Sequence, residues 1–184
     1  QGGTYTVDEV VALGLSRIYQ NQVSGGGIAY YPDLKANYHL TLSVLNSLID
    51  LKSAGYAVDE KVMASAAQYL LRTLTNDRRI FDNKNTVILS AYTLTRLPEY
   101  QNNSFLTTSI AGIVADTKFL RENISSNSLA HLAITVSRGY SASAKSAVFQ
   151  SLESRLVIDS RGSHLGEQSG SYLFEYYETP VKNT

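Results

Sequence analysis

The 184-residue sequence contains no cysteine and no tryptophan, only three prolines, and no excess of charge of either sign. Without cysteine the chain forms no disulfides, no thiolate zinc sites and no cysteine nucleophile of its own. Lys plus Arg and Asp plus Glu both number 16, which argues against nucleic-acid or membrane-surface partners, since both need a basic excess. No run of about 18 apolar residues occurs, so we expect no direct membrane insertion.

The start of the sequence shows no signal peptide, and its end suggests a truncated piece of a longer protein. The opening residues QGGTYT have neither the basic n-region nor the apolar h-region of a signal peptide. Near the other end, Thr179 and Pro180 are typical of a helix start, although only four residues follow them.

Apolar residues at helical spacing predict a succession of helices through most of the chain. Thr6 and Glu9 have capping-box spacing before the apolar face of the first helix. The other predicted boundary residues are Gly55, Asp59, Pro98, Ser126 and Ser141. The segment 156–177 changes pattern, with alternation at Tyr172, Phe174 and Tyr176, and predicts a loop or short hairpin.

An internal repeat organises these helices. The segments LTLSVLNSLIDLKSAGY, VILSAYTLTRLPEY and LAHLAITVSRGY are apolar, helix-patterned and close on a tyrosine, and another helix lies between successive copies. A period of two helices predicts stacked α-hairpins, in a solenoid or a closed ring. We therefore expect a single all-α domain over residues 1–184.

The stretch QNQVSGGGIAYYPD, residues 20–33, joins the first two helices. A phosphate loop would need Gly-Lys-Ser/Thr between a strand and a helix, and neither the lysine nor the strand is present. Gly25, Gly26 and Gly27 instead free the backbone for a sharp structural turn. Tyr30, Tyr31 and Pro32 are expected to pack that turn against a neighbouring hairpin.

The region from Ile18 to Leu71 resembles the thioester-containing domain of the α2-macroglobulin and complement family. The matching features are Gln22, the glycines and tyrosines of the turn, and an inner helix of the form yLTayvLxgL. The loop GYAVD at residues 55–59 matches as well, and the closing YYETPVKNT resembles the start of a later inner helix. The similarity implies an α/α toroid, of which this chain would hold an incomplete ring.

By this resemblance the parent is a bacterial endopeptidase inhibitor, a secreted or periplasmic protease trap that is free or anchored as a lipoprotein. Partners of the chain would be the rest of the parent and, through it, the target proteases. The family's thioester joins Cys and Gln in a Cys-x-Glu-Gln motif, which a chain without cysteine cannot form. Gly166–Gln168 is not that motif. We expect no enzymatic activity, no cofactor and no metal.

Three histidines remain as candidates for chemistry. His39 is the only one near the glycine turn, where complement-type members place an acyl-transfer histidine, but it falls on the next helix. His131 lies on an apolar helical stripe, as packing histidines do, and His164 lies in a Gly/Ser-rich loop. The three do not share metal-ligand spacing.

Other α/α toroids provide the alternatives. A polysaccharide lyase needs a Tyr or His base in a cleft with arginines, which the tyrosines, Arg78, Arg79 and Asp82 could supply, although NDRRIFD is more typical of a solvated loop. A terpene cyclase would need an Asp-rich acid motif, and a prenyltransferase a zinc-binding Cys. A plain helical-repeat binding module is the third class. An incomplete ring would leave apolar faces exposed, which predicts self-association.

Overall fold

The structure, a computed structural model, describes residues 5–159 and 162–165 of the chain. They form an all-α fold with a small antiparallel sheet, as the sequence predicts. The longer helices are α1 (Val7–Gln20), α2 (Tyr38–Ser53), α3 (Glu60–Asn76), α5 (Lys84–Leu94), α6 (Ser104–Ala115), α7 (Ser126–Ser137) and α8 (Ala142–Glu153). The shorter elements are α4 (Arg78–Phe81), a 3₁₀ turn (Pro98–Tyr100), a π-helical turn (Phe119–Asn123), β1 (Leu156–Asp159) and β2 (Gly162–Leu165).

Side-chain caps set several helix ends. The predicted capping box is confirmed, because Glu9 N donates to Thr6 Oγ1 at 3.3 Å and Thr6 N donates to Glu9 Oε2 at 2.8 Å. Asp59 caps α3 by accepting from the backbone of Lys61 at 2.8 Å. Gly55 follows the end of α2 with a φ of +91°, the left-handed conformation that favours glycine after a helix.

Two local predictions are corrected. The N-cap of α7 is Ser125 and not Ser126, because Ser125 Oγ accepts the N–H of Ser128 at 3.1 Å. The segment NDRRIFD is not a loop throughout, since residues 78–81 form the one-turn helix α4. The expected solvation of this segment is present: the Arg78 side chain is 90% exposed.

The chain divides into two compact units, residues 1–77 and 78–184. In the first, α2 packs against α3; in the second, α5 packs on α6 and α7, and α8 packs on α6 and α7. The three tyrosine-closing segments of the repeat correspond to α2, α5 and α7, so the predicted helical hairpins are confirmed. Their closure into a ring, and a single domain over 1–184, stay predictions.

Leucines and isoleucines form the core of each unit. The fully buried side chains include Leu42, Leu45, Leu48, Leu70 and Leu74 in the first unit, and Ile88, Leu94, Leu106, Ile110, Ile124, Leu129 and Leu132 in the second. Most of them lie one or two helical turns apart, so each helix contributes an apolar stripe.

Helix α1 differs from this pattern. On its predicted apolar face Leu15 is buried and Val11 and Ile18 are partly buried. Val7 and Val10 on that face are 70% and 56% exposed, and Leu13, which lies outside it, is 50% exposed. Within the described residues, α1 therefore keeps an unburied apolar surface.

The C-terminal prediction of a loop or short hairpin is confirmed for its first part. β1 pairs antiparallel with β2, with Leu156 opposite Leu165 and Asp159 opposite Gly162. The alternation at Tyr172, Phe174 and Tyr176, the Gly166–Gln168 tripeptide and the helix start at Thr179 lie outside the described residues. In the part of the chain that the structure describes, no helix is both long and apolar enough to cross a membrane.

Candidate functional site

The glycine turn between α1 and α2 is built from backbone hydrogen bonds. Val23 N donates to Gly27 O at 2.9 Å, and Gly26 N donates to Val23 O at 2.8 Å. Gln22 and Ile28 form an antiparallel bridge. Because Gly26 N is used inside the turn, it is not presented to a bound anion as in a phosphate loop.

Two of the three glycines are required by their surroundings. Gly26 has a φ of +87°, and a Cβ on it would lie 2.3 Å from the carbonyl oxygen of Ser65. A Cβ on Gly27 would lie 2.5 Å from that of Ala36 and 2.9 Å from the Tyr69 ring. A Cβ on Gly25 would make only an ordinary van der Waals contact, 3.5 Å from the Arg72 guanidinium. The turn therefore lies directly against α3.

Polar side chains attach the turn to α3 and α2. Gln22 Nε2 donates to Gly26 O and to Val62 O, both at 2.9 Å. Arg72 Nη2 donates to Gly25 O at 3.0 Å. Thr41 Oγ1 accepts from Ile28 N at 2.8 Å and donates to the carbonyl of Asn37, the α2 cap, at 2.7 Å. The buried backbone of the turn is thereby satisfied.

Part of this arrangement was not predicted from the sequence. Gln22 was named through the family resemblance, but Ser65, Tyr69 and Arg72 were not. Their spacing of four and then three residues places them on one face of α3. That spacing is the signal that could have identified them, and the sequence alone does not say what the face contacts.

Tyr30 and Tyr31 do not have the environment that we expected. Their side chains are 61% and 69% exposed, and Leu34 beside them is 52% exposed. Among residues 5–159 and 162–165, they therefore do not pack the turn against a helical hairpin. Tyr69, from α3, contacts the turn instead, with its hydroxyl 3.5 Å from Ala36 O.

His39 is the second residue of α2 and lies on its exposed side. Its ring meets that of Tyr38 edge-on at 5.7 Å, and partial burial lowers the pKa of its imidazole. A role in acyl transfer stays a prediction. His164 lies in β2. Among the described residues, no group of three His, Asp or Glu side chains is placed to hold a metal ion.

His131 belongs to an aromatic and cationic cluster on α5 and α7. Its ring centroid is 4.4 Å from that of Tyr92, and Arg138 and Arg96 lie over the Tyr92 ring at 5.5 and 5.7 Å. Burial lowers the pKa of His131, and a hydrogen bond with the backbone of Asn127 partly offsets that effect. No sequence pattern indicated that Tyr92 and the arginines would lie beside His131.

Described residues of the second unit line cavities of about 400 and 460 Å³. The first is bounded by α4, α5 and α6, and the second by the π-helical turn and α8. Within the described part of the chain, burial or hydrogen bonding shifts the pKa of Glu9, His39, Tyr100, Asp116, His131 and Tyr140, and these groups do not line either cavity.

The lyase cleft proposed from the sequence is only partly assembled. Arg78 Nε lies 3.6 Å from Asp82 Oδ2, and Asp82 lines the first cavity. No tyrosine of the described residues lines that cavity, so those residues do not combine the arginines of α4 with a tyrosine base there.

The fold resembles parts of solved α2-macroglobulin structures, whereas no family model and no curated protein matches the chain. Native Escherichia coli α2-macroglobulin from domain MG7 to the C-terminus matches 84% of this chain at 20% identity and a TM-score of 0.59, over 25% of its own length. The native conformation of the E. coli protein matches 87% of this chain at 19% identity and a TM-score of 0.60, over 10% of its own length. The trypsin-activated E. coli protein matches 81% of this chain at 20% identity and a TM-score of 0.61, over 11% of its own length. At these identities the likeness shows a common fold.

Proposed function

We propose that this chain is a scaffold part of the thioester-type α/α-toroid domain of a bacterial α2-macroglobulin-like protease trap. The observation that carries the proposal is the fold likeness to the E. coli protein, which extends over at least 81% of this chain. The chain spans no more than a quarter of those proteins. Its contribution is therefore that of one part of a larger molecule.

The interior of the chain suits a scaffold role. The glycine turn is tied to α2 and α3 by side chains, and none of the described groups with a shifted pKa lines either of the two cavities. A domain that moves as a body when its parent is cleaved needs internal rigidity more than chemistry of its own. We accordingly propose that the chain has no enzymatic activity and acts with the rest of its parent outside the cytoplasm.

The absence of cysteine divides the proposal into two forms. A covalent trap would carry the Cys-x-Glu-Gln motif elsewhere in the parent, and a non-covalent trap would lack it. Sequencing the coding region that precedes Gln1 distinguishes these forms. Toroid helices there support the proposal with or without the motif, and a different fold pattern there would contradict it.

The direct test uses the full-length parent with trypsin. A trap encloses the protease, so we expect trypsin to keep its activity on a small peptide substrate and to lose it on a large protein substrate. The parent carrying Gly26→Ala, which disturbs the turn, should trap less, and Gly139→Ala is the control. Equal inhibition of both substrates, or none of either, would contradict trapping.

A second candidate function, a polysaccharide lyase-like module, is favoured by the cluster around Tyr92. An arginine can bind a uronate carboxylate while the imidazole of His131 removes the proton on the neighbouring carbon and the Tyr92 hydroxyl gives a proton to the leaving glycosidic oxygen. The electrons of that C–H bond form the new double bond as the glycosidic oxygen leaves. Acidic polysaccharides incubated with the protein should then gain unsaturated-uronate absorbance that Tyr92→Phe abolishes. No absorbance change with any acidic polysaccharide would remove this candidate.

A further inference from the structure

The first cavity, which we call the α4–α6 cavity, has the size and lining of a small-molecule site. Its volume of about 400 Å³ falls in the lower part of the range of about 300–1,000 Å³ that such sites occupy. Phe81, at the end of α4, and Phe105, in the first turn of α6, have ring centroids 5.6 Å apart and planes tilted by 44°. Val87 and Ile113 add aliphatic surface. The lining suits a flat apolar ligand, because aromatic rings add offset or edge contacts to the burial of area.

Gly112 keeps part of this cavity open. It lies inside helix α6, where glycine is about 1 kcal/mol less favourable than alanine. No packing contact explains that choice, since a Cβ on Gly112 would meet no heavy atom within 4 Å. Because Gly112 lines the cavity, a longer side chain there would fill space that is now empty.

The charges around the cavity are paired. Asp82 lies 3.6 Å from the Arg78 guanidinium, and Lys84 forms an ion pair with Asp116. The Lys84 ammonium also lies 5.1 Å from the centre of the Phe119 ring. A charged ligand would have to compete with these existing partners, whereas an uncharged ligand would not.

Hydroxyl groups supply the remaining polarity. Ser109 Oγ donates to Phe105 O at 2.7 Å, and Thr108 lies on the exposed side of α6 and also lines the cavity. One hydroxyl at the rim can thus bond a polar substituent of a ligand.

We propose that the α4–α6 cavity binds a small, uncharged aromatic molecule of one or two fused rings, held against Phe81 and Phe105. Ligand binding at this cavity and protease trapping are measured in separate assays, so failure of one proposal would not decide the other.

Indole is a suitable probe, since the chain contains no tryptophan and the fluorescence of added indole is read without that background. We expect saturable binding to the wild-type protein and about tenfold weaker binding to Gly112→Leu. Gly139→Leu is the matched control, because Gly139 also has open space around its Cβ position and lies away from the cavity. Absence of saturation, or equal affinity in Gly112→Leu, would overturn the proposal.

Two further measurements keep the test independent of how the variant folds. In the wild-type protein, indole should shift the methyl NMR signals of Val87 and Ile113, and unchanged signals would contradict the site. Anionic indole-3-acetate and cationic tryptamine should bind more weakly than indole. Equal or tighter binding of either charged analogue would overturn the assignment of an uncharged ligand.

Discussion

At the scale of single residues, Gly26 shows two separate constraints at one position. Its φ is positive, and the space where a Cβ would stand is occupied by the Ser65 carbonyl. Gly55 has only the first constraint, and Gly139 has neither. Alanine substitutions at these three positions can therefore separate the effect of backbone conformation on stability from the effect of steric exclusion.

We predict that alanine substitutions lower the free energy of unfolding in the order Gly26, Gly55, Gly139. The expected losses are about 3 kcal/mol for Gly26→Ala, about 1 kcal/mol for Gly55→Ala and less than about 0.5 kcal/mol for Gly139→Ala. Chemical denaturation followed by circular dichroism measures them. A Gly26→Ala variant as stable as Gly55→Ala would show that α3 can shift away from the added Cβ at little cost in stability.

A second residue-scale prediction concerns buried hydroxyls. Thr93 is fully buried, and its Oγ1 has no hydrogen-bond partner in the described part of the chain. Thr135 is equally buried, but its Oγ1 donates to His131 O at 2.8 Å. Because an unsatisfied buried hydroxyl costs about 1–3 kcal/mol, Thr93→Val should raise the free energy of unfolding by about 1 kcal/mol.

Thr135→Val is the control and should be neutral or lower the free energy of unfolding by about 1 kcal/mol, since it loses a formed hydrogen bond. Thermal unfolding of both variants beside the wild type gives the comparison. If Thr93→Val is less stable than the wild type, its hydroxyl has a partner, such as an internal water.

At the scale of elements, the helices were predictable because their signals are local. The Thr6–Glu9 capping box, the Asp59 cap and the glycine after α2 all act within one turn of the backbone. Ser125 and Ser126 show the limit of that logic: both are suitable caps, and the choice between them depends on which hydroxyl reaches Ser128 N. The apolar face of α1 shows a second limit, since periodicity identifies a face without identifying what covers it.

Arg155 links three elements through a non-local contact. It is buried, at 6% exposure, and its Nη1 donates to Ile124 O at 2.8 Å and its Nη2 to Leu120 O at 3.0 Å. These carbonyls belong to the π-helical turn and to the residue that follows it, while Arg155 itself lies between α8 and β1. No sequence pattern predicted this contact, because it depends on how the chain folds back.

We predict that Arg155→Lys lowers the free energy of unfolding by about 2 kcal/mol, because a single ammonium cannot reproduce the fork of guanidinium donors. Hydrogen exchange should accelerate first at residues 119–124. Arg121→Lys is the matched control, since Arg121 is exposed and makes one long bond, 3.4 Å, to Thr117 O. Equal effects of the two substitutions would contradict this role of Arg155.

At the scale of the whole molecule, the sequence predicted the fold class and the repeat, but only part of the candidate site. The turn glycines follow from their conformational freedom, whereas the Tyr92–His131 contact joins residues 39 positions apart on separate helices. Tyr30 and Tyr31 carry no local signal that separates a buried from an exposed tyrosine. Long-range packing decides both the Tyr92–His131 contact and the exposure of these two tyrosines.

The exposed face of α1 leads to a prediction about association. The side chains of Val10 and Leu13 are 56% and 50% exposed, and large exposed apolar surfaces favour self-association. We expect the mass measured by light scattering to rise with protein concentration. Val10→Glu with Leu13→Glu should lower it, and the exposed polar position Ser16→Glu should not. A constant monomer mass over the dilution series would contradict the prediction.

In the segment between α1 and α2, the glycine turn is held by hydrogen bonds, whereas residues 30–35 are exposed. This difference determines where a protease is expected to cut the chain. Tyr30, Tyr31 and Lys35 are exposed at its tip, where limited proteolysis is expected to begin. A cut after Lys35 would leave Asn37 N bonded to Ile28 O at 2.9 Å and Thr41 Oγ1 bonded to Ile28 N at 2.8 Å. The severed ends would still be joined by these bonds, so a nicked chain should keep its helical circular dichroism and separate only on denaturing gels.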